Sequence, residues 1–149
     1  MTKVRSGVIE DATAIAGFQV AMAAETEDKQ LDMAIVQAAV EAVFEDDSKG
    51  FYLVAERDEE VCGSLLVTFE WSDWRNSAMW YIQSVYVTRS QRGQGVFRAL
   101  YDTVYEMARA DEVMFIRLYV ETDNVRAQKV YEALGMKRMP YYMYDVKVT

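Results

Sequence analysis

Apolar and polar positions follow two rhythms along this chain. From Val96, the apolar residues Phe97, Leu100, Tyr101, Val104, Met107 and Ala108 recur every three or four positions, and no proline or glycine interrupts them. That spacing predicts a helix with one buried face. Just upstream, Ile82, Val85, Tyr86 and Val87 form the β-branched and aromatic run of a buried strand. Polar residues from Thr88 to Gln94 separate the two, and Gly93 and Gly95 bracket Gln94. The stretch from Ile82 to Leu100 therefore reads as strand, tight basic loop and helix.

The remaining pattern supplies further elements. Val4 to Ile9 reads as a first strand. Asp11 is a helix cap, with Ile15, Phe18, Gln19 and Met22 on or near one face of the helix that follows. Glu25 to Gln30 reads as a charged break. Asp32 caps a second helix whose stripe is Ile35, Val36, Ala39, Val40, Val43 and Phe44, with an exit at Asp46, Asp47, Ser48 and Gly50. Phe51–Glu56 and Val61–Phe69 are strands joined by Arg57–Glu60, a hairpin signal. Trp71 to Ser77 is a loop, Met79–Val87 a fourth strand and Met114–Val120 a fifth. Asn124–Leu134 is a short helix with Val130, Tyr131 and Leu134 inward and Gly135 as its stop. Tyr141–Val148, past Pro140, is a final strand. The early hairpins imply antiparallel pairing, and the strand–helix–strand unit from Tyr81 to Val120 implies one parallel pair. The expected fold is α/β: a mixed, mainly antiparallel central sheet with helices on both faces. No repeat or linker divides the 149 residues, so 1–149 is expected to be one domain.

Composition narrows the function. No apolar run approaches membrane-spanning length, and the N-terminus lacks the apolar stretch of a secretory signal. A single cysteine, Cys62, excludes an internal disulfide and suits the cytoplasm. The chain has no histidine, which argues against a zinc site and leaves Cys62 without a base. The formal net charge is −8, and 12 acids face 3 bases between Glu25 and Glu60. That balance argues against nucleic acid and favours a cationic partner.

The loop from Arg92 to Phe97 has the chemistry of an anion cradle. Glycines permit sharp turns, the first helical turn leaves N–H donors without carbonyl partners, and Arg92 adds positive charge. A phosphate or pyrophosphate suits it, although a plain strand–turn–helix connection has the same pattern. Neither a Walker loop nor a dinucleotide fingerprint fits, because Val96 and Phe97 follow Gly95 and Arg98 stands where a third small residue belongs.

Three segments together resemble the GCN5-related N-acetyltransferases: Val85-Tyr86-Val87, the Gln91-Arg92-Gly93-Gln94-Gly95 loop, and Asn124, Ala127, Tyr131 and Gly135-Met136. The element order is similar throughout. The resemblance implies acetyl-CoA as donor and direct transfer to a primary amine; no metal is expected, in keeping with the lack of histidine. It implies that the strand backbone at Val85, Tyr86 and Val87 holds the pantetheine arm. The amides of Arg92, Gly93, Gln94, Gly95, Val96 and Phe97 would hold the pyrophosphate, and Asn124 would touch the cofactor arm. Tyr131 would protonate the departing sulfur.

Two departures accompany the resemblance. Phe97 stands where the family usually has glycine or alanine. The glutamate that histone-acetylating relatives place on the fourth strand is replaced by Tyr81, so Glu25 and Glu70 become the candidate bases, acting through water. The acceptor site is expected between the first two helices, the Trp71–Ser77 loop and the C-terminal strand, among Trp71, Trp74, Trp80, Tyr141, Tyr142 and Tyr144. A small, cationic amine is the expected acceptor. A protein Lys or N-terminus is the alternative acceptor, and a non-catalytic CoA-binding sensor is the alternative function. Many relatives dimerise, so a homodimer is a further expectation.

Overall fold

Hydrophobic burial on two sides of one sheet organises the fold. The computed structural model describes residues 1–149. They form two compact units, Met1–Leu118 and Tyr119–Thr149. The first unit contains β1 (Lys3–Ser6), α1 (Ala12–Glu27), α2 (Met33–Glu45), β2 (Phe51–Arg57), β3 (Glu60–Ser72), β4 (Ser77–Val87), α3 (Val96–Ala110) and β5 (Ile116–Arg117). The second contains α4 (Val125–Ala133).

The sheet runs in the order β1-β2-β3-β4-β5. The first three pairings are antiparallel and β4–β5 is parallel. Alternate residues of β2 serve opposite faces. Tyr52 and Val54 join Ala12, Ile15, Ala16 and Val40 in a core beneath α1 and α2. Leu53 and Ala55 face the other way, opposite Leu65 and Gly63 in the register. That face receives α3. A Cβ on Gly63 would lie 3.3 Å from Val96 and 2.9 Å from the carbonyl oxygen of Tyr86, so the helix seats where only glycine leaves room. Leu100 and Val104 of α3 are completely buried, each contributing about 1.5–3 kcal/mol through burial. Helices therefore cover both faces of a mixed sheet, as the pattern predicts.

Several boundaries differ from the sequence expectation. β1 ends at Ser6 rather than Ile9. Asp11 does not cap α1, because its carboxylate accepts hydrogen bonds from Arg5 at 2.7 and 2.9 Å and from the Val8 amide at 2.8 Å. Asp32 does cap α2, accepting from the Ala34 amide. α1 runs through the expected charged break and stops at Asp28, whose φ of 51° is left-handed. Glu25 thus sits in its last turn. The expected loop at Trp71–Ser77 shrinks to Asp73–Asn76, because Trp71 pairs with Ala78 and Ser72 with Ser77. β5 has two residues instead of the seven from Met114 to Val120. The final strand expected over Tyr141–Val148 is not formed, and every residue there is exposed. Strand propensity alone does not make a strand, which exists only where a neighbour supplies a hydrogen-bonded ladder.

Candidate active site

β4 carries an irregularity at its centre. Its register against β3 shifts between Ser64 and Leu66, and Ser84 adopts a φ of 52°. This is a bulge, which bends a strand and redirects its residues. β5 pairs with β4 only at Trp80 and Tyr81. Beyond Tyr81, the side of β4 away from β3 has no strand partner, and Val85, Tyr86 and Val87 lie on that open edge. An extended ligand arm can add there as a strand would.

The chain then passes Arg89–Gln91, a short 3-10 turn, and reaches the glycine loop. Gly93 and Gly95 have φ of 75° and 79°, and Gly95 is the N-cap of α3. No atom lies within 4 Å of a Cβ built on either, so these glycines serve backbone conformation rather than clearance. The first intrahelical bond runs from the Ala99 amide to the Gly95 carbonyl at 3.0 Å. The start of α3 around Val96 and Phe97 therefore presents the positive end of a helix. Phe97 turns its half-buried ring toward Tyr101, with centroids 6.2 Å apart, while Gln94 is exposed.

Glu25 joins this loop to α1. Its carboxylate accepts from the Tyr86 hydroxyl at 2.7 Å, from Arg89 Nε at 2.7 Å and from Arg92 at 3.2 Å. Arg92 also donates to the Val87 carbonyl at 2.9 Å and lies over the Tyr86 ring. The Tyr86 hydrogen bond, then those arginines, hold the Glu25 carboxyl down at about 2. Such a carboxylate is a very weak base, and its oxygens are engaged. This tells against Glu25 as the proton acceptor. Sequence reading named Glu25, Tyr86 and Arg92 separately and missed Arg89; no local signal joins residues this far apart in the chain.

Glu70 lies at the far end of β3, exposed, with Arg117 at 3.9 Å from one oxygen. It pairs with Met79, four residues along β3 from the bulge at Leu66, a run of roughly 13 Å at about 3.3 Å per residue. The aromatic set expected around the acceptor is divided within the first unit itself. Trp80 is buried against Phe51 and Phe69. Trp71 and Trp74 are exposed at the β3–β4 turn. Tyr141, Tyr142 and Tyr144 are exposed in the second unit.

In that second unit, Asn124 caps α4, its Oδ1 accepting from the Ala127 amide at 3.1 Å. Tyr131 is half-buried, and burial pushes its hydroxyl pKa up, so it keeps its proton at neutral pH. Val130, expected inward, is exposed. Gly135 ends the helix at a φ of 93°, and the Met136 amide returns to the Tyr131 carbonyl at 3.1 Å.

A cavity of about 420 Å³ lies between α1, α2 and the sheet. Met22, Ile35 and Val40 contribute apolar walls, and Gln19, Tyr52 and Ser84 contribute polar groups. Sequence reading expected an acceptor site between the first two helices and placed Gln19 and Met22 on or near one face of α1, but it did not give the cavity's lining.

Comparison with known proteins agrees with this arrangement. The family model described as Acetyltransferase (GNAT) family matches residues 17–136. A possible acetyltransferase from Clostridium difficile 630 is 37% identical, with a TM-score of 0.93 over 100% of this chain and 99% of that one. An aminoglycoside acetyltransferase from an uncultured soil metagenomic sample shares the fold at 20% identity and TM-score 0.79, covering 100% of this chain and 99% of its own. A predicted acetyltransferase from Clostridium acetobutylicum, solved with acetyl-CoA, does so at 14% identity and TM-score 0.80, covering 98% and 96%. No curated protein matches. No helix is long and apolar enough to cross a membrane. With the glycine loop at the start of α3, the open edge of β4 and a family match over most of its length, the chain belongs to the GNAT family of acetyltransferases.

Proposed function

We propose that this acetyltransferase moves the acetyl group of acetyl-CoA directly onto the primary amine of a small, cationic acceptor. The observation that carries the reading is the left-handed Gly95 at the head of α3, next to Arg89 and Arg92, at the end of an open strand edge. A pyrophosphate suits the first and a pantetheine arm the second. The family match crosses the boundary between the two units, which supports one catalytic domain over 1–149.

In this reading the β4 backbone at Val85, Tyr86 and Val87 aligns the cofactor arm, and Asn124 touches it. The loop from Arg92 to Phe97 holds the pyrophosphate. The acceptor ammonium, with a pKa near ~10.4, first loses a proton. Glu70 has an oxygen open to water and is the proposed acceptor, through a water chain. Glu25 instead organises Arg89 and Arg92. The neutral amine attacks the thioester carbonyl, the C–N bond forms, the C–S bond breaks, and Tyr131 gives its proton to the departing sulfur; the second proton, shed by the new amide nitrogen, returns through water to the Tyr131 phenolate.

The cavity between α1 and α2 favours a small acceptor over a protein chain. A solved fold neighbour is a ribosomal-protein-alanine N-acetyltransferase from Brucella melitensis biovar Abortus 2308, at 17% identity and TM-score 0.79 over 100% of both chains. Protein termini therefore belong in the test. The experiment is CoA release from acetyl-CoA with polyamines, aminoglycosides, amino acids, amino-acid amides and Lys peptides. Turnover with a small amine is the expected result. Turnover with peptides alone would move the acceptor class to protein, and CoA binding without turnover would make the chain a sensor. The lone cysteine supports a cytoplasmic location. The exposed apolar run at Tyr141–Val148 supports a homodimer, which sedimentation would test.

A further inference from the structure

One buried polar group is left without work by this mechanism. Gln19 of α1 is 9% exposed, and its Nε2 has no hydrogen-bond partner. It lines the cavity between α1 and α2. Buried amide donors are almost always paired, and an unpaired one is destabilising. As the side chain stands, Nε2 is closed to water, so a ligand oxygen would satisfy it once the amide turns into the cavity.

The rest of the cavity states what kind of molecule carries that oxygen. Met22, Ile35 and Val40 offer apolar contact. Its charged groups are Glu27 and Lys29, both well exposed and paired with each other at 3.4 Å. The interior thus holds neutral polar groups and no fixed charge, so a neutral carbonyl suits it better than a carboxylate. Ser84 also lines the cavity and directly precedes the strand edge assigned to the pantetheine arm. An amine seated in the cavity can therefore approach the thioester.

We infer that the acceptor is an aliphatic primary amine with a neutral carbonyl beside its amino group, as in an aliphatic amino-acid amide, and that Gln19 Nε2 donates a hydrogen bond to that carbonyl. The inference rests on the acetyl-transfer reading for the amine's fate, but the binding preference is measurable without it. Gln19 is a specificity-determining residue in this account, because a site built to pair a polar group rejects an analogue that lacks it.

The test compares leucinamide with isopentylamine, which lacks only the carboxamide, and with leucine, which carries a carboxylate. Affinity is read by calorimetry on the CoA-loaded protein, and transfer by release of CoA from acetyl-CoA. Leucinamide should bind about tenfold more tightly than either analogue. Gln19→Met keeps similar volume and removes the donor. It should bring the leucinamide-to-isopentylamine ratio from about tenfold to about one, with a melting temperature equal to or above that of the parent, since an unpaired donor has been removed. A purely structural Gln19 predicts a lower melting temperature and an unchanged ratio, and that result overturns the inference. Equal affinity for leucinamide and isopentylamine in the parent protein, or no binding of either, also overturns it, whether or not other amines are acetylated. Preferential binding of leucinamide without transfer would uphold the site and overturn the acetyl-transfer reading.

Discussion

Glu25 accepts hydrogen bonds from partners 61, 64 and 67 positions away, Tyr86, Arg89 and Arg92. Its ordinary pKa of 4.5 falls to about 2 in the folded chain. A depressed carboxyl contributes stability that is complete above the unfolded value and disappears as pH falls through the folded one. Urea unfolding of the parent should therefore lose more stability between pH 4.5 and about 2 than that of Glu25→Gln; parallel pH curves would show that the hub contributes nothing. Gly95 tests the loop. Gly95→Val places a β-branched residue at a φ of 79° and should weaken acetyl-CoA binding by tenfold or more. Calorimetry on folded variant measures it, and unchanged affinity would remove the pyrophosphate assignment. Tyr131 tests the chemistry. Tyr131→Phe removes one O–H, and kcat should drop roughly 10²-fold with acetyl-CoA affinity and melting temperature little changed. Lost stability with kcat retained would make Tyr131 structural. At this scale the left-handed turns at Gly93 and Gly95 and the Asn124 cap were legible because they belong to short local motifs. The partners of Glu25 and the place of Gln19 in the cavity lining were not, since both depend on contacts between distant segments.

Among the elements, the helices were read best, because a buried face imposes its own period on the sequence. α3 begins at Val96 as the spacing demands. Strand ends were read less well, since pairing and not composition fixes them. The β3–β4 hairpin reaches Ser72 and Ser77 through cross-strand bonds that no local pattern announces. The β1–α1 junction shows the same effect on a side chain. Asp11 looks like a cap, but Arg5 claims it, with Glu56 on the other side of the guanidinium at 2.8 Å. The Asp11 carboxyl is held below its usual range chiefly by the hydrogen bond from Arg5. Arg5→Leu would leave Asp11, 7% exposed, without its counter-charge. The expected cost is about 3 kcal/mol in urea unfolding. A loss under about 1 kcal/mol would class the pair with exposed bridges.

The whole molecule carries a formal charge of −8. In the proposed function an ammonium acceptor would be drawn to it from a distance, whereas the anionic cofactor would rely on the local arginines and the head of α3. Raising ionic strength should therefore raise the acceptor KM through loss of this long-range attraction, which is screened beyond about 10 Å at 0.1 M. An acceptor KM indifferent to salt would oppose the cationic assignment. The fold class was legible from element order, while the short β5 was not. That shortness has a consequence for motion. Only two residue pairs and the Trp80–Phe115 backbone bond tie β5 to β4. Amide deuteration should enter β5 by local opening, while the amides of the interior strand β3 wait for global unfolding. Trp80, 5% exposed beside that ladder, would report each opening as a change in indole fluorescence.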